Sequence, residues 1–484
     1  MKRIYSNLFS TFRVSRVAKK AFDLCNSTAN HFKITQSARH LKKTSASARV
    51  TLDESTHRQC GESERAGPKL LRLFSVACAL FCPASVLAQS GVEAAPARLG
   101  AGFGGPSAPE VYLDEIQNRR TDTGPSYILP GFDKALDPWF KFKERIEQNA
   151  NFRMGGHYQI NYQKADRVLN EPDYGLGGLF RFTGVWKSRG LENRDAGRIE
   201  FTFDYRHAIG NGVAPSALAQ QFGYVGTTNA ILGDTKFDLY SLYYAKPFRS
   251  GTSGFAIGRI DPNNFFYTHG FSNPWTGFMN NEVVNPVSVL QPQSSWGILG
   301  GYYFNDNIYG VAGTFDANGF TSDDLEFFEG GAEFWTGVEL GYVPSQAERL
   351  DKKISLTLWH LDEREDAGTE ESYGAALTAS WTFGDWNPFT RIGFSEGDAP
   401  PYNTSFLAGF RKKMRNGADI LGLAHSRGES SAGFGWQNAT ELFYNYYLAK
   451  NLAVTFDIQR IGNPLLNPVD DEVWLFGIRT RITF

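Results

Sequence analysis

The stretch Val473-Trp-Leu-Phe-Gly-Ile-Arg-Thr-Arg-Ile-Thr-Phe484 alternates without a break. Trp474, Phe476, Ile478, Thr480, Ile482 and Phe484 fall on one face of a period-two pattern, and Leu475, Gly477, Arg479, Arg481 and Thr483 on the other. That period is the mark of a β-strand, whose successive side chains point to opposite sides. Two arginines flanked by bulky apolar residues predict that one side is wet and the other is not. A sequence that stops on such a strand, on an aromatic, reads as the closing strand of a transmembrane barrel.

Composition points the same way. The 484 residues include 39 Phe, 21 Tyr, 10 Trp and 50 Gly, yet mean hydropathy is negative. After residue 88 no run approaches the 18 or more apolar residues of a membrane helix. Alternating lipid-facing and water-facing strands give this average.

The one continuous apolar run, Leu70 to Leu87, follows Lys69 and includes Arg72 and Pro83, and it closes on Val86-Leu87-Ala88. A basic start, a hydrophobic centre and a small final residue predict a signal peptide over 69–88, cleaved after Ala88. The 68 residues ahead of it carry thirteen Lys/Arg against five Asp/Glu and are assigned no fold; a misassigned start site would explain them. Setting both segments aside takes the net charge from −2 to about −12, which excludes nucleic acid as a partner. All four cysteines precede Ala88, so the rest of the chain needs no disulfide, and no thiolate metal site or other cofactor is expected.

Residues 89–150 read as a flexible periplasmic linker, rich in Ala, Gly, Pro and Ser, ending in a short helix over Asp137–Gln148 with Asp137 as its cap. From 151 to 484 sixteen strands are expected, starting near 152, 178, 197, 236, 254, 294, 307, 331, 353, 373, 387, 404, 419, 436, 451 and 473. In 198–206, Ile199, Phe201, Phe203 and Tyr205 oppose Arg198, Glu200, Thr202, Asp204 and Arg206. Connections alternate between long, up to about 32 residues, and short, down to about two. Even strand number, long outer loops and short periplasmic turns are the pattern of outer-membrane barrels. The fold class expected is therefore all-β, a sixteen-stranded antiparallel transmembrane barrel with a short N-terminal helix.

Three stretches resemble the carbohydrate-selective porins of the OprB type. They are Phe406-Leu-Ala-Gly-Phe-Arg411 with Arg415-Asn-Gly-Ala-Asp419 and Leu421-Gly-Leu423; Glu441-Leu-Phe-Tyr444; and Phe456-Asp-Ile-Gln459 with Asn463-Pro464, leading to Gly477-Ile-Arg479 and Phe484. Upstream, Gly258-Arg-Ile-Asp261 with Phe265-Phe266 is similar to a Gly-Lys-Ile region of that family. Departures are Arg259 for a frequent Lys, Ile478 for Leu, and Pro138-Trp139 where a Trp-Gly-Gly segment is usual. The resemblance implies passive diffusion of mono- or small oligosaccharides through a water-filled lumen narrowed by an inward-folded loop. It also implies recognition of Phe484 by the barrel-assembly machinery. The barrel reading itself predicts contact with outer-membrane lipid and lipopolysaccharide in a Gram-negative outer membrane, with monomer and homotrimer both left open.

A sugar is a neutral polyol with apolar ring faces, so a lumen that selects it needs hydrogen-bonding groups and aromatic rings. The inward candidates are Arg181, Trp186, Arg198, Glu200, Asp204, Arg206, Arg259 and Asp261, then Trp335, Glu339, Arg391, Asp457, Gln459, Arg479 and Arg481. Each could instead be a solvated charge that merely holds the lumen open. Arg206, Asp204, Arg259 and Asp261 stand out because they precede the two longest loops, 208–235 and 262–293, and the second holds Asn273-Pro-Trp275 and Phe278. A general diffusion porin is the competing expectation. A barrel hydrolase is disfavoured, because His157, His207, His269, His360 and His425 are scattered and neither Gly-x-Ser-x-Gly nor His-Glu-x-x-His occurs.

Overall fold

The structure, a computed structural model, describes residues 102–188, 195–319, 331–364 and 367–484. The expected leader and signal peptide lie outside the described residues, as does the acidic run Asp323–Glu326. Two helices come first, α1 (Pro109–Thr121) and α2 (Pro130–Ala150). Sixteen strands follow: β1 (Phe152–Ala165), β2 (Tyr174–Lys187), β3 (Arg198–Ala208), β4 (Lys236–Phe248), β5 (Ser253–Ile260), β6 (Ser295–Tyr303), β7 (Ile308–Asp316) and β8 (Phe334–Tyr342) in the first half. The second half is β9 (Lys352–Leu361), β10 (Ser372–Trp381), β11 (Trp386–Glu396), β12 (Tyr402–Met414), β13 (Asp419–Ser430), β14 (Trp436–Ala449), β15 (Leu452–Gly462) and β16 (Glu472–Thr483). Every expected strand is present, and the largest offset in a start is Tyr174 against 178.

Each strand pairs antiparallel with its sequence neighbours, and β16 pairs with β1, so no sheet edge is left. The barrel is inside out relative to a soluble protein. In β16, Phe476 and Ile478 are 54% and 48% exposed, whereas Arg479 and Arg481 are 1% and 2% exposed. An outward surface of bare apolar side chains is stable only in lipid, and the fold is that of a transmembrane β-barrel. Exposed rings gather near both rims. Trp186, Tyr302, Tyr342 and Trp386 lie near the short-turn end, and Tyr162, Tyr205, Tyr373 and Trp474 near the long-loop end. These are the places where amphipathic aromatics settle at a membrane interface.

Trp186 therefore corrects an expectation. It stands on the outward face of β2, 44% exposed, and lines no lumen. Residues 102–150 correct another, since they are not a featureless linker. Pro in the first turn, Glu110 after it and Arg119 and Arg120 in the last turn favour α1. The helix expected at Asp137 begins earlier, at Pro130, so Asp137 is no cap; it accepts an ion pair from Arg120 at 2.6 Å.

Closure depends on a residue without a side chain. Gly156 exchanges main-chain hydrogen bonds with Phe484 (3.0 and 2.9 Å), and a Cβ there would press into the Arg181 carbonyl and the Phe484 ring. Gly156→Val is expected to cost about 1–3 kcal/mol or more through overpacking at the seam. The barrel should then lose its resistance to denaturation on unheated gels, and a variant that keeps native mobility would contradict this account of the seam.

Candidate functional site

The connection between β5 and β6, residues 261–294, begins with Asp261. Its carboxylate accepts from the Asn263 N–H (2.9 Å) and starts a tight turn. From there the segment is bonded to inward-facing side chains of strands from β8 to β16. The Tyr267 N–H donates to Glu339 (2.7 Å), and Arg411 donates to the Gly270 carbonyl (2.6 Å). Arg479 donates to the carbonyls of Pro274 and Gly277 (2.7 and 2.8 Å), and Glu441 accepts from the N–H groups of Met279 and Asn280 (2.6 and 2.9 Å). Loop main chain that leaves water needs such partners. Rings fix the same segment: Phe271 stacks on Phe389 at 4.0 Å and Phe278 meets Phe443 edge-on at 4.7 Å.

The β3–β4 connection, residues 209–235, is held in the same manner. Gln163 and Gln459 both donate to the Thr228 carbonyl (3.1 and 2.9 Å), and Tyr402 donates to that of Val225 (2.7 Å). The same hydroxyl lies 2.7 Å from the Glu282 carboxyl, which Ser426 contacts too. Burial raises the Glu282 carboxyl above the ordinary carboxylate range, against the pull of those donors. A raised acid contributes most when protonated. Its contribution is complete below the ordinary range and is lost as pH rises through the raised value. Protease cleavage within 261–294 is accordingly expected to increase with pH, and Glu282→Gln to flatten that dependence; an unchanged profile would refute the assignment.

Of the charged residues singled out, Arg181 on β2, Asp204 and Arg206 on β3, and Asp261 just after β5 converge. Arg181 binds Asp204 through two hydrogen bonds (2.7 and 2.6 Å), and Arg206 binds the same carboxylate at 2.7 Å. A carboxylate shared by two guanidiniums is a compact, charge-assisted assembly. Tyr240 joins it. A register shift in the β3–β4 ladder, where Thr202 faces Ser241 and Phe203 faces Leu239, leaves Tyr240 as the extra residue of a β-bulge. The bulge brings its ring 4.7 Å from the Arg181 guanidinium, and its hydroxyl donates to Asp261. On the other side Trp275 offers its face to Arg181 at 4.1 Å. Three strands and a loop thus put two cations, two carboxylates and two aromatic faces together.

The remaining candidates lie elsewhere. Arg259 faces inward and donates to the Leu239 carbonyl (3.2 Å), while Glu200 binds Arg198 (2.5 Å) and accepts from Tyr243 (2.8 Å). Glu339 serves the β7–β9 wall, accepting from Tyr309 (2.6 Å) and Thr357 (2.9 Å) besides Tyr267. Trp335 points inward but is enclosed by Phe266 and Phe315 at 5.3 and 5.8 Å. Most of these charges are under a tenth exposed, so they are not freely solvated groups on an open wall. Tyr240 was missed, because nothing in the local sequence marks the bulge. Trp275, noted only as a ring in the second long loop, sits with its face 4.1 Å from the Arg181 guanidinium.

With this geometry in hand, the barrel can be set against known proteins. No family model matches the sequence, and no characterised protein matches it in sequence. Among solved structures, the high-pH structure of Pseudomonas putida OprB has a TM-score of 0.59 at 12% identity, covering 72% of this chain and 97% of that one. The chain has the fold of OprB. A substituted porin of Rh. blastica covers 69% of this chain and 100% of its own, at a TM-score of 0.44 and 11% identity.

Proposed function

We propose that the chain is an outer-membrane porin that passes small sugars by diffusion, with the long-loop rim outward and the short-turn rim in the periplasm. Segment 261–294 narrows the passage. Sugars meet Arg181, Asp204, Arg206, Tyr240, Asp261 and Trp275 at the narrowing, and Phe484 is the residue the assembly machinery reads. What carries the reading is the Arg181–Asp204–Arg206 triad bracketed by Tyr240 and Trp275 on the inward side of a lipid-facing barrel. Balanced opposite charges leave little net field to favour ions, and they offer donors and acceptors to hydroxyls while the rings take a pyranose face. A channel, rather than catalysis, is the activity this architecture serves.

The test is liposome swelling with glucose, a disaccharide and a polyol of equal size, beside single-channel conductance titrated with each. Sugar-dependent block of current and faster swelling for sugar than for the polyol support selectivity. Equal rates for all would leave a general diffusion porin.

A further inference from the structure

On β13, β14 and β15 the lipid-facing wall turns polar before it reaches the long-loop rim. Strand pairing orders the change row by row. Leu423, Leu442, Ile458 and Phe476 stand side by side on β13 to β16, all apolar and exposed. The next outward row towards that rim is His425, Thr440, Arg460 and Trp474, and the one after it sets Arg427 beside Asn438. His425 and Arg427 are exposed. Arg427 and Arg460 are therefore two strands apart, about 10 Å, with the Thr440 hydroxyl and the Asn438 amide on the strand between them.

A cation on a lipid-facing wall is destabilising unless a polar partner meets it. Other exposed cations at the long-loop rim are neutralised by the chain itself: Lys164 pairs with Asp173 (2.9 Å) and Lys236 with Asp234 (2.6 Å). Arg427 forms no ion pair among the described residues. It lies over the Trp436 ring at 4.7 Å, and that ring stacks on Phe406. Arg460 is held from one side by Glu472, which accepts from it at 2.7 Å and takes the Trp474 ring N–H at 2.6 Å as well. The other carboxylate of this face, Glu429, stands a further row out, beside Trp436. Both guanidiniums are thus fixed by groups that leave N–H donors facing the lipid.

Such a face fits a molecule that carries phosphate above acyl chains. A guanidinium offers phosphate two parallel N–H donors, and a phosphate monoester carries about −1.5 to −2 charges, enough for two guanidiniums. We propose that Arg427 and Arg460 hold a lipid A phosphate of the outer leaflet's lipopolysaccharide, with Thr440 and Asn438 as further hydrogen-bonding groups and Leu423, Leu442 and Ile458 beneath its acyl chains. A glycerophospholipid diester has less charge, so it satisfies one guanidinium and leaves the other bare. The inference rests on the reading that the long-loop rim faces outward.

In native mass spectrometry of the full-length protein folded in detergent, lipid A with both phosphates is expected to bind about ten-fold tighter than its dephosphorylated form or phosphatidylglycerol. Arg427→Gln with Arg460→Gln, checked for fold by heat-modifiable gel mobility, should bind all three lipids alike at the weak level. Arg427→Lys with Arg460→Lys keeps the charges without the fork and should fall between. The dephosphorylated lipid probes the native protein, so that arm needs no variant. Equal binding of lipid A with and without phosphate, or native affinity in the glutamine pair, would overturn the site. Phosphatidylglycerol binding as tightly as lipid A would overturn its occupant, and a glutamine pair that loses a native oligomer without any lipid would make this face a contact between copies. Orientation is read separately. From Gln89 onward the chain has no cysteine, so Ala432→Cys, in the β13–β14 connection, reports alone to a membrane-impermeant maleimide. Labelling on whole cells without phosphate-dependent binding overturns the site and leaves the passage standing. Labelling only after lysis means that the outward orientation itself fails and takes this occupant with it.

Discussion

Replacing Arg479 by leucine is expected to raise single-channel conductance about two-fold or more while leaving the barrel folded. Arg479 is the wall group that holds two carbonyls of segment 261–294, at Pro274 and Gly277, and it is 1% exposed. Leaving a buried acceptor without its donor costs about 1–3 kcal/mol, because the carbonyl left behind stays dry and unpaired. Here the segment has an escape, since it can leave the wall and hydrate. Limited proteolysis near residues 274–280 should therefore increase together with conductance. A variant with native conductance and native protection would mean that this segment does not set the narrow point.

The second large effect is on ion preference. Asp204→Asn removes the carboxylate that Arg181 and Arg206 share, leaving their charges facing each other. One uncompensated positive charge about 10 Å from a passing ion acts with roughly 1.7 kcal/mol at an effective dielectric near 20. That is roughly twenty-fold in relative permeability, in favour of anions. A reversal-potential measurement in a salt gradient reads it directly. Sugar-dependent current block should weaken in the same variant, because the two guanidiniums no longer hold one geometry. Native selectivity in Asp204→Asn would remove this triad from the passage.

The barrel was legible because a strand buried on one side writes its orientation into every second residue. Arg198, Glu200, Asp204 and Arg206 share a face by spacing alone, and so do Arg479 and Arg481. The misplacement of Trp186 was avoidable on the same ground. Five residues separate it from Arg181, and an odd separation within one strand means opposite faces. What could not be read were the features that break the period or act across the chain. Tyr240 turns inward only because the β3–β4 ladder slips by one residue. The pairing of Glu441 with the Met279 and Asn280 amides joins residues more than 160 positions apart. In α1 the apolar stripe is only Tyr112, Leu113 and Ile116, set among the ion-paired Glu110, Asp114 and Glu115, too short to stand out from the Ala-, Gly- and Pro-rich sequence ahead of it.

The seating of segment 261–294 carries a consequence for biogenesis. Its partners Glu441 and Arg479 stand on β14 and β16, far downstream of β5 and β6. The segment has no complete berth until the last strand is in the wall. A barrel caught before β16 pairs with β1 would hold segment 261–294 without its Arg479 contacts, whatever the state of the strands that bracket it. Closing the seam and seating the loop are then one event, recorded in a single strand that meets β1 with its backbone and grips the loop with its arginine.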